Sequence, residues 1–147
     1  MREILFRGKR MEVGRFASTS EKEWVYGGYA KDRSGEYIHD PMRGGHRMVK
    51  IAPETLGQFT GLTDRDGRKI FEGDICDFCV FDCFGSDTQY RATVSYEDGG
   101  FILRQVSKEG NEENFGSLDL SWVRYQDDEF RVIGNIYDNP EMLGVKK

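Results

Sequence analysis

A chain of 147 residues that is 37% hydrophobic and 13% aromatic suits one domain or two very small ones, and excludes a disordered polar tail. A mean hydropathy of -0.65 with no long apolar run excludes a membrane-spanning helix. A net charge of -5 and a pI near 5.1 count against non-specific binding to phosphate backbones.

The charge is unevenly spread. Residues 1–56 carry 11 Lys/Arg against 8 Asp/Glu, and residues 57–147 carry 10 against 18. The first part is mildly basic and the second strongly acidic. The N-terminus, MREILFRGKRM, lacks the apolar centre of a signal peptide. Cys76, Cys79 and Cys83 crowd into eight residues, an odd number that fits a reducing compartment better than a disulfide scaffold. These features predict a cytoplasmic protein.

Ten Phe, seven Tyr, two Trp and 18 Gly against three Pro lean toward strands and tight turns. In chain order, residues 2–7 (REILFR) predict a first strand, and residues 14–23 a polar loop. Residues 23–30 (EWVYGGYA) predict a second strand. Trp24, Tyr26 and Gly28 would then point one way, and Val25, Gly27 and Tyr29 the other. The Gly27–Gly28 pair signals a bulge or a close backbone approach. Residues 36–39 and 47–51 read as strands, with DPMRGG (40–45) as a loop between them. No internal repeat is visible.

Residues 58–60 look extended, and Asp64 to Gly67 (DRDG) is a turn. Glu72-Gly73 turns the chain into a strand at 74–81 (DICDFCVF), and 82–88 is a loop. Residues 90–96 and 101–106 form a hairpin about the EDGG turn at 97–100. A polar loop covers 107–116, and 118–125 suits either a strand or a short helix. Residues 130–136 read as a strand, with Ile133, Ile136 and Tyr137 facing inward. Asn139-Pro140-Glu141 opens a short terminal helix, with Asn139 as its cap.

Candidate chemistry is sparse. The C-x-x-C of Cys76 and Cys79 has no second pair. Residues three apart on a strand face opposite sides, so all three cysteines are read as small packing residues. Asp64 and Asp66 before Gly67 hint at a calcium loop, but that register puts Leu62 and Gly73 where acids are needed. His39 and His46 flank a Gly-rich loop and read as surface histidines. Glu72 and Asp74 could form an acid–base pair, yet an Asp at a strand start more often accepts backbone N–H groups. Trp24, Tyr26 and Tyr29 with Arg7, Lys9 and Arg10 could stack single-stranded nucleic acid; aromatics at such positions are more often core.

Four stretches carry a family likeness: REILFRG, EWVYGGY, PETLGQFTGLTDRDGRKIFEGDI and VIGNIYDNPEML. Together they resemble the YopX family of phage and prophage proteins over nearly the whole chain. The family tends to have an aliphatic residue where this chain has Cys76. The resemblance implies a mainly-β fold with an SH3-like small barrel, and it brings no activity, cofactor or catalytic residue. The barrel is expected in residues 57–147, with 1–56 as a β-rich N-terminal part of one YopX-like domain and a short C-terminal helix. Ile70, Phe71 and Ile75 would plug its core.

The expected function is that of a non-enzymatic accessory protein that binds an unknown host or phage protein. The candidate contacts are Trp24, Tyr26, Tyr29, Gln58, Glu72 and Asp74. A nucleic-acid-binding module is the alternative, disfavoured by the acidic charge. An enzyme using acids or cysteines ranks last. No metal, cofactor or membrane partner is expected.

Overall fold

The computed structural model describes residues 2–11, 23–41, 47–81, 87–106 and 117–144. His46, Cys83 and most of the loops expected at 14–23, 40–45, 82–88 and 107–116 lie outside the described residues. The described residues form two antiparallel sheets of six and five strands, one short α-helix and two 3-10 turns. The chain divides into two compact units, Met1–Phe59 and Thr60–Lys147.

The first unit is built on β1 (Phe6–Lys9), β2 (Trp24–Asp32), β3 (Gly35–Asp40), β4 (Arg47–Lys50), a 3-10 turn (Pro53–Thr55) and the start of β5 (Gly57–Thr63). Their order in the sheet is β4-β3-β2-β1-β5. The first strand begins later than the apolar triplet suggests, and Ile4 is left 61% exposed. Pairing decides this. Phe6 faces Gly27 and Lys9 faces Trp24, so the ladder needs the alternating Phe6-Arg7-Gly8-Lys9 rather than the apolar run.

Phe6, Gly8, Val25, Gly27, Tyr29, Ile38 and Val49 share one face by register. Val25, Ile38, Val49 and Ile51 are the buried core, with Phe6, Tyr29 and Leu56 packed on it. Two glycines make this possible. A Cβ on Gly8 would lie 2.6 Å from the Ile51 side chain, and one on Gly27 only 1.8 Å from the His39 carbonyl oxygen. The Gly27 signal is therefore a close backbone approach. The ends of β1 and β4 also meet: Arg10 bridges Ile51, and Met11 N–H and Ala52 N–H donate to the Lys50 and Lys9 carbonyls at 2.9 Å. Thr55 stitches the 3-10 turn in place. Its hydroxyl accepts from Lys9 N–H at 2.8 Å and donates to the Ala52 carbonyl at 2.6 Å.

The second unit holds the rest of β5, then β6 (Lys69–Phe71), β7 (Asp74–Phe81), β8 (Asp87–Glu97), β9 (Gly100–Gln105), β10 (Ser117–Asp119), α1 (Leu120–Gln126) and β11 (Arg131–Asn135). The five-stranded sheet runs β10-β9-β8-β7-β11. Asp98 and Gly99 both take positive φ, 51° and 81°, as a tight two-residue hairpin turn demands. Alternate residues of β7 and β8, including Cys76, Phe78, Ala92 and Val94, face a core shared with Leu103, Leu120, Val123 and Phe130. Ile70, Phe71 and Ile75 are buried as expected.

Several expectations are corrected here. No closed barrel forms among the described residues of this unit; β10 and β11 are the sheet's edges. The barrel is expected in residues 57–147 alone, yet the five-strand order of the second unit has a counterpart in the first, with the same order and a helical turn between the fourth and fifth strands. Residues 118–125 divide: β10 ends at Asp119, whose side chain accepts from Ser121 and Trp122 N–H and starts α1. In β11 it is Val132, with buried Phe130 before it, that packs on the core. Ile133 falls at an irregularity between Val132 and Gly134, while Ile136 and Tyr137 are only half-buried. Pro140–Leu143 is a 3-10 turn; Asn139 stands at its N-cap position, as expected, but makes no side-chain cap bond. Its side chain accepts instead from Asn135 N–H at 3.2 Å.

Candidate functional site

The face of the first unit opposite its core carries the most distinctive surface chemistry. Register sets its members. Arg7 pairs with Tyr26, and Lys9 with Trp24. Gly28 pairs with His39, and His39 in turn with Met48; Tyr37 pairs with Lys50. The Arg7 guanidinium lies 4.5 Å over the Trp24 ring, and the Lys9 ammonium lies 5.4 Å from it. Arg7 is buried in this arrangement, whereas Tyr26 is 43% and Met48 48% exposed. A Cβ on Gly28 would meet nothing within 4 Å. The face thus has an open position at Gly28, with Tyr26 two residues before it and His39 then Met48 across the neighbouring strands.

Its electrostatics are one-sided. Arg7, Lys9 and Lys50 lie on this face by alternation, and the one acid that β1–β4 place there is Asp32, at the far hairpin end. Asp32 is occupied locally: its carboxylate accepts from the Ser34 N–H at 2.7 Å and from the Ser34 hydroxyl. Those bonds, with the Lys50 charge, hold its pKa below the usual carboxylate value.

The six sequence-predicted contacts separate. Trp24 and Tyr26 share the outward face. Tyr29 lies on the core face, its ring 5.6 Å from Phe6 and its hydroxyl donating to Glu36. That carboxylate, together with burial, raises the phenol's pKa. Gln58 pairs with Phe6 and is half-buried. Arg10, one of the expected stacking cations, falls on the Phe6–Gly8 side of β1 by alternation.

Glu72 and Asp74 belong to the second unit. Glu72 is half-buried beside Gly73, whose φ is 87°. Asp74 is 2% exposed and accepts from Phe71 N–H at 2.7 Å, the turn-capping role its position at a strand start suggests. Cys76 is a buried core residue, whereas Cys79 is half-buried on the opposite face of β7 and is not part of the core. Among the described residues, no three His, Cys, Asp or Glu side chains gather closely enough to hold a metal.

Two buried acids of the second unit were not singled out from the sequence as buried. Asp64 receives Asp66 N–H and Arg68 N–H on Oδ1, both at 2.9 Å, and Val132 N–H on Oδ2 at 3.0 Å. The DRDG turn is thereby tied to β11. Asp127 receives Glu129 N–H and Cys79 N–H, each at 2.8 Å, and so ties the end of α1 to β7. An Asx-turn signal marks each locally; the distant partner, Val132 N–H for Asp64 and Cys79 N–H for Asp127, carries no sequence signal.

The description "YopX protein" matches residues 10–144, and the chain belongs to the YopX family. Among solved structures, the crystal structure of protein EF1440 from Enterococcus faecalis is similar, with a TM-score of 0.52 and 25% identity. That likeness covers 97% of this chain and 99% of the other. No curated protein matches. Among the described residues, no helix is long and apolar enough to cross a membrane.

Proposed function

We propose that the protein is a non-enzymatic, cytoplasmic phage or prophage accessory protein that binds another protein through the outward face of its first unit. Each unit is read as a variant of the SH3-like arrangement, in which four meandering strands, a helical turn and a fifth strand return to the first. The partner is a protein segment with an apolar anchor and acidic flanks. The anchor sits at the open Gly28 position, and the flanks meet Lys9 and Lys50.

The observation that carries this reading is the exposure of Tyr26 and Met48 on the face where Gly28, two residues after Tyr26 on β2 and joined to Met48 through His39 on β3, is unobstructed. Tyr, Trp, Met and Arg are the side chains enriched where proteins dock, and few of them carry most of the energy. The cations near Trp24 also suit a single-stranded nucleic acid. That second reading is weaker, because the Trp24 ring is already engaged by Arg7 and a base needs a free ring face to stack. No catalytic step is assigned.

The test is a tagged capture from bacterial cells carrying the phage, with and without nuclease, comparing the natural chain with the double variant Tyr26→Ala, Met48→Ala. Both side chains are exposed, so folding should survive. A nuclease-resistant partner weakened about tenfold or more in the variant is the expected outcome. A partner held equally by both proteins overturns the assignment of the face. Capture that vanishes with nuclease and falls steeply with salt favours the nucleic-acid reading.

A further inference from the structure

We propose, resting on the protein-binding role of the Tyr26–Met48 face, that the segment this face receives belongs to a second copy of the chain. That segment is the aromatic side of α1, Trp122 and Tyr125, with Asp128 just beyond it. Copies of the protein then join head to tail.

The second unit presents an apolar anchor with an acidic flank. α1 buries Leu120 and Val123, and its other side faces outward. Trp122 and Tyr125 stand three residues apart there, neighbours on one helical face. They are 49% and 83% exposed, and Tyr125 is the most exposed large hydrophobic side chain among the described residues. Neither side chain has a hydrogen-bond or ring partner among those residues. From Asp119 to Glu129 the chain carries four carboxylates against one cation, Arg124, which donates to the Thr63 carbonyl. Three of the carboxylates are committed: Asp119 caps α1, Asp127 is buried, and Glu129 lies 3.6 Å from Arg65. Asp128 is exposed and has no hydrogen bond or ion pair among the described residues.

The first unit presents the complement. Its outward face places three cations, Arg7, Lys9 and Lys50, against one acid, Asp32, which is bonded to Ser34. Tyr26 and Met48 are exposed on that face, and the Gly28 position is open. Tyr125 enters at Gly28 between the two exposed side chains, and Asp128 meets the surplus positive charge at Lys50. Each copy offers one surface of each kind, so the interface is heterologous and generates a ring or an open chain. Few anchors are involved, and aromatic side chains bury about 150–250 Å² each, so the contact belongs to the weak class below about 1,200 Å².

The experiment is sedimentation velocity of the full chain from about 10 μM to about 1 mM. The weight-average mass should rise with concentration above the 16.9 kDa of one chain, and the rise should shrink in high salt. The double variant Tyr26→Ala, Met48→Ala removes one surface, and Tyr125→Ala, Asp128→Lys removes the other. Each alone should stay monomeric. Mixed, they should form a dimer with one chain of each kind and nothing larger, because one intact surface of each type remains. Association that survives either double variant, or a mixture that stays monomeric, overturns the head-to-tail contact. A natural chain that is monomeric at about 1 mM also overturns it. Should that chain nevertheless capture a foreign protein through Tyr26 and Met48, the binding face stands and only the second copy as its partner falls. Tyr125 and Asp128 are exposed, so their variant should fold; should it not, Asp128→Lys alone, outside α1, decides in the same mixture.

Discussion

The two units reach one strand order by different means. In the first, four buried aliphatic residues form the core, and two glycines let backbone and side chains approach where any Cβ would collide. In the second, nine buried residues, two of them Phe, form a larger core, and buried aspartates tie the elements together. The helical turn before the fifth strand shows the same contrast. Three residues stitched by the Thr55 hydroxyl suffice in the first unit, while the second uses a capped helix closed by Asp127. A small core leaves little margin for a misplaced atom, whereas a larger one is organised by polar groups that must each be satisfied.

Substitutions at the two neighbouring glycines of β2 test the first half of that contrast most severely. Gly27→Val places its Cβ against the His39 carbonyl and should destabilise the chain by about 3 kcal/mol or more. Gly28→Ala should be neutral or stabilising by about 0.5–1 kcal/mol, because its Cβ meets nothing and glycine carries an entropic penalty in a strand. Urea unfolding of both variants reads the difference, and equal midpoints would remove close approach as the reason for Gly27.

Asp64→Ala tests the second half. It orphans three backbone N–H groups around a buried position and should cost about 3 kcal/mol, with Asp64→Asn losing less. A loss below about 0.5 kcal/mol, the usual surface value, would show that the turn and β11 are held by packing alone.

The connectors give smaller effects. Thr55→Val keeps the shape but leaves Lys9 N–H without its acceptor, a loss of about 1–2 kcal/mol in the first unit. Asp119→Ala removes the α1 cap and should cost about 1 kcal/mol at neutral pH. Its bonds to Ser121 and Trp122 hold the Asp119 pKa below its ordinary 3.8. A depressed folded-state pKa contributes stability that is complete above the unfolded value and lost as pH falls through the folded one. The difference between natural chain and variant should therefore persist above pH 3.8 and shrink below it. A difference that stays constant through the acid range would exclude the charged cap.

Much of the second unit was legible because its signals are local. The EDGG turn, the DRDG turn and the alternation in YRATVSY each act within a few residues, and all three stand where the sequence puts them. The start of β1 was not legible. An apolar triplet looks like a strand, yet pairing with Trp24–Gly27 selected the more polar Phe6–Lys9 instead. The candidate site was half legible. Alternation placed Trp24, Tyr26 and Gly28 together and away from Tyr29, but Met48 joins them only through the β2–β3–β4 register.

By itself, the sequence determined the mainly-β class, the turns, the membership in the YopX family and the structural reading of Asp74. Each rests on near neighbours or on matched residue order. Tertiary structure alone decided that the five-strand order occurs twice and that Asp64 and Asp127 are buried junctions. The physical reason is that strand order and buried hydrogen bonds join residues far apart along the chain. Their partners leave no local pattern, because a backbone N–H of any residue type can fill the role.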